Sequence, residues 1–184
     1  MQEMIEAFFE EVASGNIEIY NEFSLQHELG IFLRGKFQDK RVQFERNVSY
    51  FGFDKSQLEK KEMDIVLFSN REILDVAIEV KYPRNGQVPE SFFSFCKDIV
   101  FLEQLKRNRV SKAYFLAVVE DKTFYEGNEV GIYKYFRGET PVTLSCEITK
   151  PTGSKDKVLT LKGSYNVKWN TVKTGMKYCL IEIV

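Results

Sequence analysis

Apolar residues recur along the chain with two different periods, and the switches between them mark out helices and strands. Ile5, Phe8, Phe9 and Val12 repeat at helical spacing and predict an amphipathic helix over 2–13, which Gly15-Asn16 ends. Leu25, Leu29, Phe32, Leu33 and Phe37 form the stripe of a second helix, with Ser24 as its N-cap and its end near Phe37. Residues 41–51 alternate loosely through Val42, Phe44, Val48 and Tyr50, as a first strand would, and 53–62 is a polar loop. Two nearly continuous apolar runs follow, 63–68 and 73–81, joined by the polar turn Ser69-Asn70-Arg71-Glu72. They predict a hairpin of largely buried antiparallel strands.

Tyr82-Pro83-Arg84-Asn85-Gly86 breaks the second run. Phe92, Phe95, Ile99, Leu102 and Leu105 then predict a long helix from about Pro89 to Asn108, with Lys106, Arg107 and Arg109 at its end. Residues 112–119 form an apolar strand, and a strand–helix–strand crossover makes it parallel to an earlier one. Beyond Glu120 only short strand-like runs occur, at 131–136, 142–148, 158–161, 165–169 and 178–184. The pattern is that of an α/β fold in one domain of 184 residues. It predicts a mixed β-sheet core over about 20–120, flanked by helices, and a β-rich C-terminal extension over about 140–184.

Charged residues inside the apolar strands are the first sign of chemistry. Asp64 interrupts one run, while Glu79 and Lys81, at i and i+2, share a face at the end of the other. With the turn centred near Asn70 and Arg71, Asp64 falls opposite Ala77 and diagonal to Glu79, about 7–8 Å apart at Cα. Burying such groups is costly unless each has a partner such as a metal or a phosphate. Glu28 lies about 60° from Leu25 on the helical wheel, at the edge of the stripe, where a carboxylate can point into a cleft. The plain alternatives are a structural ion pair within the sheet and, for Glu28, an ordinary surface position.

Composition narrows the chemistry further. A formal charge of −1 argues against a uniformly basic coat but leaves room for local basic clusters, at Arg34, Lys36, Lys40 and Arg41, at Lys81 and Arg84, and at Lys106, Arg107, Arg109 and Lys112. Cys96, Cys146 and Cys179 have neither zinc spacing nor a disulfide framework, which favours a reducing, cytoplasmic setting. The N-terminal stretch is acidic without a signal core, and no apolar run approaches the ~20 residues that cross a membrane. A single histidine, His27, removes multi-histidine zinc hydrolases and most triad chemistry. What is left is carboxylate plus lysine, an oxygen-rich set that selects magnesium or manganese before zinc.

Taken in order, the chain has a Glu on an early helix, an Asp in a hairpin strand, Glu-x-Lys closing the next strand, then a helix and a strand. That order resembles the PD-(D/E)XK nuclease superfamily over roughly residues 20–120, with Glu28, Asp64, Glu79 and Lys81 at the matching positions. No Pro precedes Asp64, which stands in Glu62-Met63-Asp64-Ile65. The resemblance implies a restriction-endonuclease-like core and hydrolysis of phosphodiester bonds with Mg²⁺ or Mn²⁺, in DNA before RNA. On that pattern Asp64, Glu79 and the carbonyl of Val80 would hold metal, and Lys81 would orient or help deprotonate the attacking water. Glu28 would complete the metal's outer shell, and Arg84 and Lys36 would meet backbone phosphates. Asp98, Glu103 or Gln104 could approach from the long helix. Cutting both strands would take two sites, hence a homodimer or sequential nicking. The rival expectation is a catalytically silent member of the fold that binds nucleic acid or a protein. Gly131-Ile132-Tyr133 spells half of the GIY-YIG nuclease motif, but no Tyr-Ile-Gly follows and it reads as coincidence.

Overall fold

The helical periodicities become α1 (Gln2–Ser14) and α2 (Glu22–Lys36) in the computed structural model, which describes residues 1–84, 86–108, 110–153 and 157–184. The second helix starts earlier than the Ser24 cap predicts. Asn21 is the N-cap: its side chain accepts from Ser24 N at 2.7 Å, and Ser24 Oγ accepts from Asn21 N at 3.0 Å. This reciprocal box satisfies two otherwise orphaned backbone donors and puts Glu22 inside the first turn.

The strands are β1 (Arg41–Asn47), β2 (Glu62–Asn70), β3 (Ile73–Lys81), β4 (Lys112–Val119), β5 (Leu144–Thr149), β6 (Val158–Tyr165), β7 (Trp169–Lys173) and β8 (Met176–Ile183), with α3 (Val88–Arg107) between β3 and β4. The first strand is shorter than 41–51, because the Asn47 side chain caps a 3-10 turn over Val48–Phe51. Gly131–Tyr135 is also a 3-10 turn and not a strand: Gly131 has φ 66, and Phe136 just beyond folds onto α3, stacking on Phe92 at 4.1 Å. The run 165–169 splits, Tyr165 closing β6 and Trp169 opening β7.

Six strands form one mixed sheet in the order β1-β2-β3-β4-β8-β7. Only β3 and β4 run parallel, as a crossover through α3 requires. The C-terminal strands do not stay apart as an extension. β8 lies along β4 with β7 outside it, and only β5 and β6 form a separate two-stranded sheet.

Alternation along each strand supplies two apolar faces. Ile65, Leu67, Val76, Ile78 and Val80 pack with α1 and α2. Val66, Phe68, Ala77, Phe115 and Ala117 pack with α3 and the small sheet. A buried carboxylate joins the last two. Glu103 of α3 accepts from Lys162 N at 2.9 Å, Gly163 N at 2.6 Å and Tyr165 Oη at 2.9 Å, so it fastens β6 and does not approach Asp64. Tyr165→Phe removes one donor from that carboxylate and should cost about 1–2 kcal/mol in urea unfolding, with the fold retained. Cys96 and Cys179 are buried, Cys146 is exposed, and all three are unpaired. Among the described residues, no helix is long and apolar enough to cross a membrane.

Candidate functional site

The hairpin turn is Arg71-Glu72, with Asn70 paired to Ile73, so its centre lies one residue further along than a centre at Asn70 and Arg71. Irregularities at Leu67/Phe68 and Phe68/Asn70 accompany that register. The pairing of Val66 with Ala77 and Ile65 with Ile78 therefore sets Asp64 directly across from Glu79, not diagonal to it. Directly opposed residues share a face, so Asp64, Glu79 and Lys81 all project toward α3.

Beyond Ile65 and Ile78 the two carboxylates take over the hydrogen bonding of the strands. Glu79 Oε1 accepts from Asp64 N at 3.2 Å, and Asp64 Oδ2 accepts from Val80 N at 2.8 Å. Each carboxylate thus commits one oxygen to backbone and keeps the other free for a cation. The group lies at the carboxyl end of β3, where that strand is parallel to β4, a usual location for ligand sites in sheets with helices on both faces.

The cation found there is Lys60, from the irregular segment before β2. Its ammonium bonds Glu79 Oε2 and lies 3.1 Å from Asp98 Oδ1 and 3.6 Å from Asp64 Oδ1. Asp98 comes from the middle of α3 and is buried. Lys81 Nζ stands 3.2 Å from Asp98 Oδ2, 3.2 Å from Glu22 Oε1 and 3.1 Å from the carbonyl of Val80. The contact to Asp98 lacks hydrogen-bond geometry, which leaves Oδ2 a buried oxygen without a hydrogen-bond partner. Glu22 also accepts from Tyr82 N at 3.1 Å.

From α2, Gln26 Nε2 reaches the carbonyl of Asp64 at 2.7 Å and Glu45 Oε1 at 2.6 Å. Glu45 stands opposite Asp64 across the β1–β2 pairing, with a left-handed φ of 46. A non-glycine residue in that conformation carries about 1–2 kcal/mol of backbone strain, and such strain concentrates at functional sites.

Electrostatics follows from burial. Desolvation raises the Asp64 carboxyl above its usual range, against the pull of Lys60, Lys81 and the Val80 N–H. Desolvation together with the charges of Asp64 and Asp98 pushes Glu79, which is 0% exposed, well above the ordinary glutamate value. Burial alone would depress Lys60, but Glu79, Asp98 and Asp64 outweigh it and raise the ammonium. Lys81 is likewise depressed by burial and raised on balance by Asp98, Asp64 and Glu22. Both lysines are therefore biased toward the protonated form, and Lys81 in this arrangement is an ion-pair partner of Asp98 and Glu22.

Several residues expected at the site lie elsewhere. Glu28 is the clearest correction: its contact is His27 Nδ1 at 3.7 Å, on the solvent side of α2. Gln26 faces Asp64, and two positions along a helix turn a side chain about 200° away. The helix carboxylate at the site is Glu22. Lys36 sits at the far end of α2, about 20 Å along the axis from Glu22, with its ammonium 5.1 Å from the Phe32 ring. Arg84 does flank the site, but its guanidinium bonds the carbonyl of Tyr20 and ties the end of β3 to the start of α2. Gln104 acts one step removed, its Oε1 accepting from Glu59 N at 2.8 Å next to Lys60. Arg109 and Asn85 lie outside the described residues.

Glu22, Gln26, Glu45 and Lys60 are missing from the sequence reading. Asn21-x-x-Ser24 signals the earlier helix start that would have exposed Glu22 and Gln26 as one helical face. Nothing in the polar stretch 53–62 singles out Lys60.

Among the described residues, no three His, Cys, Asp or Glu side chains stand at mutual metal-ligand spacing. The donor set still suits a hard divalent cation. It is all oxygen, with Asp64, Glu79, Asp98 and Glu22 set against the ammoniums of Lys60 and Lys81. Mg²⁺ asks for one or two carboxylates and keeps its waters, which Asp64 and Glu79 with the Val80 carbonyl can supply. No family model matches the chain, and neither a curated protein nor a solved structure matches it.

Proposed function

We propose that this protein is a metal-dependent nuclease, hydrolysing phosphodiester bonds in DNA with Mg²⁺ or Mn²⁺ in the manner of the PD-(D/E)XK superfamily. The observation that carries the reading is the convergence of Asp64, Glu79 and Lys81 on one face at the end of β3, joined by Asp98 from α3 and Glu22 from α2. The order helix, three antiparallel strands, helix and parallel strand supports it.

Asp64, Glu79 and the Val80 carbonyl would hold the cation, with Asp98 in reserve. Bound there, a divalent ion polarises a phosphate and lowers the pKa of its water. The rest belongs to the chain. Lys81, kept protonated between Asp98 and Glu22, presents a fixed positive charge to the scissile phosphate and orients the attacking water. Gln26 fixes the backbone of Asp64 and so the aim of its carboxylate. Arg84, whose guanidinium bonds the Tyr20 carbonyl, would have to give up that bond to meet an adjacent phosphate.

The test is cleavage of plasmid and single-stranded DNA with Mg²⁺ or Mn²⁺, comparing the unmodified protein with Asp64→Asn. Metal-dependent cutting that drops to background in the variant is the expected result, and cutting that survives it would sink the assignment. The presence of Lys60 favours one second reading, a catalytically silent member whose carboxylates are already neutralised. In that case calorimetry would detect no Mn²⁺ binding.

A further inference from the structure

We infer that Lys60 is a tethered cation that occupies the metal's place in the resting protein and leaves it when a divalent ion binds. The inference rests on the metal-dependent reading above and names the residue that controls entry to that site.

The assignment of oxygens carries it. Glu79 Oε1 and Asp64 Oδ2 are committed to backbone N–H groups, at 3.2 Å and 2.8 Å. The oxygens left for a cation are Glu79 Oε2 and Asp64 Oδ1, and both face the Lys60 ammonium, which Asp98 Oδ1 completes at 3.1 Å. These three carboxylates belong to β3, β2 and α3, so Lys60 is the point where three elements are pulled together. An ammonium and a divalent ion cannot share those oxygens, since each would lie within a few ångströms of the other in a buried setting.

Lys60 is also built to move. It belongs to no helix or strand, its side chain is 22% exposed, and exposed residues precede it from Asp54 to Gln57. Its backbone is held one residue back, where Gln104 accepts from Glu59 N at 2.8 Å. The stem can therefore swing out to solvent without disturbing β2. Gln104 acts as the hinge pin of that movement.

Competition of this kind lowers the metal affinity of the unmodified protein. Lys60→Met keeps the stem and removes the charge, and it should bind Mn²⁺ tighter by about 10–100-fold in calorimetry, since the competitor is gone and the site is one charge more negative. A second measurement uses the unmodified protein. Acetylation with an amine-reactive ester, read by mass spectrometry, should find Lys60 protected without metal and several-fold more reactive at saturating Mn²⁺, with exposed Lys55 as the unchanged control. If Lys60→Met does not fold, the acetylation pattern alone decides. Mn²⁺ binding to the unmodified protein with Lys60 still protected, or a folded Lys60→Met that binds no tighter, would overturn the inference and leave the nuclease reading intact. No Mn²⁺ binding by either protein would overturn both.

Discussion

Glu79→Gln is expected to gain stability relative to the unmodified, metal-free protein as pH rises from about 4.5 to 7, and to weaken Mn²⁺ binding by about 100-fold or more. The site places Asp64, Glu79, Asp98 and Glu22 against the ammoniums of Lys60 and Lys81, with Glu79 fully buried and Asp98 nearly so. Ionising Glu79 there is opposed by desolvation and by Asp64 and Asp98, which is why its pKa lies well above the ordinary value in the folded chain. The sign follows from linkage: a carboxyl whose folded pKa is raised holds its proton more tightly when folded. Stability then falls as pH rises from the unfolded value, near 4.5, through the folded one. Glutamine keeps the shape and the oxygen that accepts from Asp64 N, turns an amide N–H toward the Lys60 ammonium, and never ionises. The difference between variant and unmodified protein should therefore move in the variant's favour as pH rises from about 4.5 to 7. Thermal melts across that range in chelator decide it. A difference that does not change across that range would mean that Lys60 already offsets the whole charge. The loss of metal binding is read separately by calorimetry.

Lys81→Ala should lower the single-turnover cleavage rate by about 10²–10³-fold with DNA affinity changed only a few-fold. Lys81 is a compact point charge fixed by Asp98, Glu22 and the Val80 carbonyl, at 3.2, 3.2 and 3.1 Å. Such a preorganised charge counts where negative charge develops in the transition state, and one ammonium adds little to the affinity for a polyanion. Lys81→Arg should not restore the rate, because a planar guanidinium cannot sit between the same three oxygens in the same geometry. Single-turnover rates at saturating Mg²⁺, with binding measured in Ca²⁺, separate the two effects. A loss confined to binding would make Lys81 an ordinary phosphate contact.

The three principal groups were legible in the strands themselves. Asp64, Glu79 and Lys81 stand out because charge interrupts apolar runs, and a period of two fixes which of them share a face. The elements around them were legible for the same reason, and 112–119 matches its strand residue for residue. Misses occur where local pattern gives way to packing. Ser24 is a good cap residue, but in the fold it serves as the third residue of a box led by Asn21, so the carboxylate at the site is Glu22 and not Glu28. The aromatic run near Tyr133 looks like a strand, but it turns to stack on α3.

By itself the sequence determined the helices, the hairpin, the parallel crossover and the residues whose burial demands a partner, because periodicity and burial are properties of neighbouring residues. The tertiary structure alone decided what those partners are. It set Asp64 straight across from Glu79, brought Asp98 from α3 and Glu22 from α2 to Lys81, and carried Lys60 in from a polar loop to the oxygens left free. Such contacts join residues many positions apart, and which charge meets which is fixed only when the layers close on the sheet and exclude water.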